Sequence, residues 1–81
     1  MKIVWDEPKR LANIAKHGID FADISIDFFL SALVRPTRDN RYAAIGHLGG
    51  VIVVIFATLG TEGVSVISAR PASAKERNLL S

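Results

Sequence analysis

The sequence predicts an α+β fold: an antiparallel sheet of about four strands, two N-terminal helices and a short C-terminal helix. Three observations predict it. Apolar residues recur at helical spacing only in the first third of the chain. From Arg41 onward, strand-like runs, one of them the unbroken apolar Val51–Ala57, are punctuated by glycines. A serine and a glutamate at capping-box spacing then open a last short helix. Helices segregated from strands make an α+β domain.

Each element has its own reason. Ile3-Val4-Trp5 is β-branched and aromatic, which suits a short strand. Asp6-Glu7-Pro8 opens a helix, because either acid can cap and proline is tolerated in the first turn. From Lys9 to His17, Leu11, Ile14 and Ala15 form one apolar helical stripe, with Gly18 as C-cap. Asp20 caps a second helix from Phe21 to about Phe29, whose apolar side holds Phe21, Ile24 and Phe28. A strand over Ile24–Phe28 is an alternative, since Ser25 and Asp27 alternate with apolar residues. Leu33-Val34-Arg35 reads as an edge strand stopped by Pro36, and Arg38-Asp39-Asn40 as a turn. Arg41–His47 is a strand, Gly49-Gly50 a tight hairpin turn, and Val51–Ala57 a central strand covered on both faces. Thr58–Gly63 is a loop, Val64–Ala69 the next strand, and Ser73-Ala74-Lys75-Glu76 the capping box.

The 81 residues predict a single domain over 1–81. Such a domain is only marginally stable alone, and without cysteine it has no disulfide to supplement its core. Hydrophobic residues make up 49% of the chain, which excludes a disordered chain. A net charge of +2 permits an anionic partner such as RNA without demanding one. The N-terminus is not a signal peptide, because acids follow its short apolar run at once. Ala43–Leu59 is shorter than a membrane span and holds His47 and three glycines, so a pair of buried strands explains it better.

Beside its apolar stripe, the first helix carries Arg10, Asn13 and His17 on one face, with Lys9 and Lys16 adjacent. A cationic face ending in histidine can hold a phosphate and shuttle a proton. The simpler alternative is a cation complementing the helix C-terminus. Arg70 can present its planar fork of donors to a phosphate, or pair with an ordinary acid. Glu76 is a candidate general base that the capping box also explains. Arg35, Arg38 and Arg41 form a basic rim at a turn, and Arg77 reads as a solvated helix residue. No histidine, aspartate or glutamate spacing matches a metal site, no glycine loop cradles a nucleotide, and no cofactor is implied.

The order of certain words carries more. Trp5-Asp6, Lys9, Asn13, Lys16-His17-Gly18 and Phe21 resemble the opening of the BrnT toxins. Ile67-Ser68-Ala69-Arg70, Ala72 and Glu76-Arg77 resemble that family's closing segment, with Arg41, Gly46 and Val51–Phe56 in order between them. The resemblance implies a cytoplasmic toxin of a type II toxin–antitoxin operon, RelE-like in fold, which cleaves RNA without a metal. It implies neutralisation by a BrnA-type antitoxin that carries the DNA-binding module, so that DNA is met only through the antitoxin, in a homo- or hetero-oligomer. His17, Arg70, Glu76 and Lys16 become the expected catalytic residues, with His17 and Glu76 as proton carriers. Arg10, Arg41 and Arg77 become the expected substrate-binding residues. Two departures stand out: Leu80 sits where the family usually has an aromatic, and the loop 59–63 lacks its usual charges. They support an alternative, an inactive homologue that binds its antitoxin and co-regulates transcription.

Overall fold

The computed structural model describes residues 1–80. Its five strands are β1 (Lys2–Trp5), β2 (Leu33–Pro36), β3 (Arg41–His47), β4 (Val51–Leu59) and β5 (Gly63–Pro71). Its helices are α1 (Glu7–His17), α2 (Ile26–Ser31) and α3 (Ala74–Asn78), with a 3₁₀ turn at Phe21–Asp23. The strands form one mixed sheet in the order β1-β5-β4-β3-β2. The class is α+β as expected, but the sheet has five strands, and β1 joins it parallel to β5. Nothing in a four-residue strand announces its partner. The chemistry that admits it lies elsewhere, at Gly63: a Cβ there would stand 2.1 Å from the Lys2 carbonyl oxygen.

The central strand is as apolar as its position demands. Val53 and Val54 on β4 are fully buried, one on each face of the sheet. One face packs Ala44, Val54, Phe56, Val64, Val66 and Ala69 against Phe21, Ile24 and Phe28. Phe29 meets Phe28 and Phe56 edge-on at 5.4 and 5.2 Å, and Tyr42 stacks on Phe56 at 5.6 Å. Each such ring pair adds about 0.5–1.5 kcal/mol beyond its buried area. The other face holds a smaller cluster of Ile45, Val53 and Ala72, with Leu80 packed against it. The Arg38–Asn40 turn and the Gly49-Gly50 turn form as expected, with positive φ at Asp39, Asn40, Gly49 and Gly50.

Two further expectations fail, the first for a local reason and the second for a long-range one. The helix from Phe21 to Phe29 is broken in two, because the segment contains two capping residues. Asp20 accepts the Ala22 N–H and caps the 3₁₀ turn, whereas Ser25 accepts the Phe28 N–H and starts α2 afresh. Phe21, Ile24 and Phe28 are nevertheless buried as expected.

The second failure concerns α1. Its supposed core residue Leu11 is 56% exposed, and the buried residue is Asn13, at 6%. The helix therefore turns its Arg10–Asn13–His17 face inward. Gly18 ends it with φ of 71°, a left-handed conformation that glycine adopts without strain, and returns its N–H to the Ile14 carbonyl.

Replacing Gly63 with alanine should force β1 off β5 and lower stability by about 1–3 kcal/mol, as overpacking does. Denaturant titration of the two proteins measures this, and an unchanged midpoint would show that β1 docks without needing the gap.

Candidate active site

The site begins with unequal strand lengths. β5 has nine residues and β1 only four, and their pairing ends at Trp5 opposite Val66. The rest of β5 has a bare outer edge. The Ala72 N–H bonds to the Val51 carbonyl on the β4 side, so by antiparallel alternation the N–H of Ala69 points outward. Asn13 meets it there. Its Oδ1 accepts the Ala69 N–H at 3.0 Å, and its Nδ2 donates to the Ile19 carbonyl at 2.9 Å. α1 is thereby held alongside the edge that β1 leaves uncovered.

Between helix and edge lies a cleft of about 410 Å³, within the ~300–1,000 Å³ typical of ligand sites. Lys9, Ala12, Asn13, Lys16 and His17 line it from α1, and Ile67, Ser68 and Arg70 from β5. The β5 contribution depends on a bulge. Ile55 pairs with Ser68 but Phe56 pairs with Val66, so Ile67 is an extra residue. Val64, Val66 and Ala69 can then all enter the same core, although strict alternation would have put Arg70 there. The bulge sends Arg70 out of the core instead.

Arg70 is fixed by α3. Its Nη1 and Nη2 donate to the two carboxylate oxygens of Glu76, each at 2.8 Å, and Nη1 also donates to the Pro71 carbonyl at 3.3 Å. A guanidinium has five N–H donors, so two remain for a ligand. Glu76 in turn accepts the Ser73 N–H at 2.8 Å, and Ser73 Oγ accepts the Glu76 N–H, completing the expected capping box. The hydrogen bonds from Arg70 and from the Ser73 backbone hold the Glu76 carboxyl down to about 2. The same pairing raises the pKa of Arg70. A carboxylate so committed is a poor proton carrier near neutrality, which argues against the expected acid–base role of Glu76.

The structure thus gathers His17, Lys16 and Arg70 at one cleft, with Glu76 behind Arg70. The three residues expected to bind substrate lie elsewhere. Arg10 donates to both carboxylate oxygens of Asp20, at 2.7 and 3.0 Å, and to Glu7 at 2.8 Å. The bond to Asp20 is the largest influence raising the Arg10 pKa and lowering that of Asp20. Arg10 is therefore a structural tie between α1 and the next turn. Arg41 pairs with Ala57 whereas Arg70 pairs with Val53, two strands away; these offsets separate their backbones by roughly 17 Å. Arg77 donates to the Ala72 carbonyl at 3.1 Å.

Lys9, Ser68 and Ile67 were not among the expected site residues. Lys9 stands eight residues before His17, two helical turns back on the same face, so its signal was in the spacing. Ser68 and Ile67 reach the cleft through the bulge, which no residue pattern marks. Among the described residues, Lys9, Lys16 and His17 have no hydrogen-bonding or ionic partner, and no carboxylate lines the cleft. Nor do three histidine, aspartate or glutamate side chains gather anywhere among those residues to hold a metal ion.

Residues 5–76 match the family described as the ribonuclease toxin BrnT of type II toxin–antitoxin systems. The fold is also similar to a 1.1 Å crystal structure of the Brucella abortus ribonuclease toxin BrnT. The two share 59% sequence identity at a TM-score of 0.85, over 90% of this chain and 97% of that one. No curated protein matches the chain.

The Glu76 pairing has a pH signature. A carboxyl whose folded pKa lies below its ordinary value of 4.5 adds stability above that value and loses it as pH falls toward 2. Glu76→Gln should therefore be less stable than the parent at pH 7, by up to about 1 kcal/mol for a pair this open to solvent. The difference should shrink toward zero between pH 4.5 and 2. Thermal melts across that range check it, and a gap independent of pH would contradict it.

Proposed function

We propose, from the premise that this chain belongs to the BrnT family of ribonuclease toxins of type II toxin–antitoxin systems, that the α1–β5 cleft is where it cleaves RNA. One observation carries the reading: Lys9, Lys16 and Arg70 converge on a cleft with an imidazole and no carboxylate in its lining. That is a receptor for a phosphodiester beside a proton carrier.

RNA supplies its own nucleophile, the 2′-OH next to the scissile phosphate. Cleavage must remove that proton, stabilise the charge that develops on the phosphoryl oxygens, and protonate the departing 5′-oxygen. His17 takes the 2′-OH proton in this scheme, and the departing 5′-oxygen takes its proton from solvent water. Lys16, Lys9 and the two unspent donors of Arg70 face the developing charge, where fixed donors act most strongly on a transition state. Glu76 holds the guanidinium plane in place and does not exchange protons. Ser68 is placed to contact the ribose or base. The RelE-like character expected of the fold belongs to this same proposal, since it too assigns cleavage to protein cations without a metal or other cofactor.

A type II toxin implies an antitoxin partner. We assign that partner to the BrnA type and place the toxin in the cytoplasm, where RNA and antitoxin meet. The single unit 1–81 would bind in a hetero-oligomer, with DNA contacted through the antitoxin. No helix among the described residues is long and apolar enough to cross a membrane. The alternative of an inactive homologue leans on Leu80. That residue packs against Ile45, Val53 and Ala72, on the same sheet face as Arg70, whose strand partner is Val53, and it is not among the residues that line the cleft. The substitution therefore leaves the cleft cations in place, which favours the enzyme.

Expressed without its antitoxin, the chain should arrest growth with loss of RNA. His17→Ala and Arg70→Ala should each lower cleavage by about 10²–10⁴-fold. Arg41→Ala and Arg77→Ala should stay within about threefold of the parent, as exposed positions outside a site do. RNA cleavage by the purified variants decides; full activity of either cleft variant removes that residue from the mechanism.

A further inference from the structure

We propose that Asn13 is a positioning residue for the cleft: it sets the register of the α1 cations against Arg70 by clamping the helix to the bare edge of β5. The inference rests on the cleft being the site of RNA cleavage.

Asn13 is the one buried residue of α1, in a helix whose apolar residue Leu11 lies exposed. The helix is therefore not located by a greasy stripe in the usual way. Its position depends on a primary amide that bonds in two directions. The Oδ1 bond at 3.0 Å reaches Ala69, a residue 56 positions away in sequence. The Nδ2 bond at 2.9 Å reaches Ile19, just past the end of the helix.

The two anchored backbone groups bracket the reactive side chains. Ala69 lies between Ser68 and Arg70, both in the cleft lining. Ile19 follows His17 and its capping Gly18. Along α1, Asn13 stands one turn before His17 and one turn after Lys9, on the same face. A single side chain thus fixes the imidazole from one side and the guanidinium strand from the other. Geometry at a reacting centre is sensitive: a displacement of ~1 Å costs on the order of 100-fold in rate. Phosphate binding by long, partnerless lysines tolerates such a shift far better. Loss of Asn13 should therefore fall on the chemical step more than on substrate affinity.

The test compares the full-length chain with Asn13→Leu, of similar volume but without either bond, and Asn13→Asp, which keeps the acceptor for Ala69 and loses the donor to Ile19. Steady-state cleavage of a mixed-sequence RNA oligonucleotide is measured per folded molecule, the folded fraction being taken from circular dichroism. Asn13→Leu should lose roughly 10–100-fold in kcat with KM within about threefold, and Asn13→Asp, which also puts a carboxylate into the cationic lining, should lose at least as much in kcat and raise KM. A purely structural role would lower the folded fraction and leave kcat per folded molecule unchanged. That result, kcat within about twofold of the parent, overturns the proposal. Should Asn13→Leu not fold, Asn13→Ala, which removes both bonds without adding charge, carries the kinetic comparison. Hydrogen exchange of the Ala69 amide in the unsubstituted chain adds an independent arm: protection supports the clamp, and exchange as fast as an exposed amide overturns it. His17→Ala and Arg70→Ala run alongside. If both cleave normally, the cleft reading itself fails and takes this proposal with it; if both are crippled while Asn13→Leu keeps its kcat, the positioning proposal fails alone.

Discussion

A nine-residue strand flanked by a four-residue one leaves backbone groups that something else must satisfy. An unpaired buried amide costs about as much as a lost hydrogen bond, so the second half of β5 needs a partner that is not a strand. Asn13 supplies it at Ala69. The solution has a structural consequence. A helix held at a sheet edge by an amide leaves a gap beside the strand that a helix packed flat by its leucines would close. The cleft is that gap, and the residues flanking the amide on each element are the ones that line it.

The same side-chain types take different roles according to what sits beside them. Arg10 and Arg70 are both paired with carboxylates at 2.7–2.8 Å. Arg10 is enclosed by Asp20 and Glu7 and faces no cleft, so its charge is spent on joining α1 to the turn that follows. Arg70 is held by one glutamate, lines the cleft and has two N–H donors left over. Glu76 is itself fixed by the N-terminus of α3, where the capping box satisfies backbone donors that would otherwise lack partners. The rigidity of the guanidinium thus traces to a local rule of helix capping. The bulge at Ile67 completes the arrangement, since without it the alternation of β5 would carry Arg70 into the apolar core.

Much of the fold was legible in the sequence because it obeys local rules. The β-branched run Val51–Ala57 could only be a central strand, and Ser73 with Glu76 could only open a helix. Phe21, Ile24 and Phe28 were recognisable as core even though the helix carrying them is broken at Ser25. What escaped depends on long-range contacts. Leu11, Ile14 and Ala15 look like a core stripe until the edge of β5 is known to need a polar partner. The pairing of β1 with β5 brings together residues some sixty positions apart and leaves as its local trace only a glycine at 63. The site followed the same division. His17, Lys16 and Arg70, grouped from residue type and order, do line one cleft, while Arg41 lies away from it because sequence order says nothing of position across a sheet. Ser68 was missed because a bulge has no sequence signature here.

The arrangement as a whole suits a ribonuclease toxin: a small domain, a cleft with three basic side chains and an imidazole in its lining, and a substrate that brings its own nucleophile. The central claim is spatial, that RNA meets this chain at the junction of α1 and β5. Amide chemical-shift mapping with a short RNA analogue, 2′-deoxy at the scissile position so that it binds without being cut, tests it most directly. Perturbations should concentrate at Lys9, Lys16, His17 and residues 67–70, with the Arg35–Arg41 hairpin silent. Perturbations centred on that hairpin, with the cleft unchanged, would contradict it.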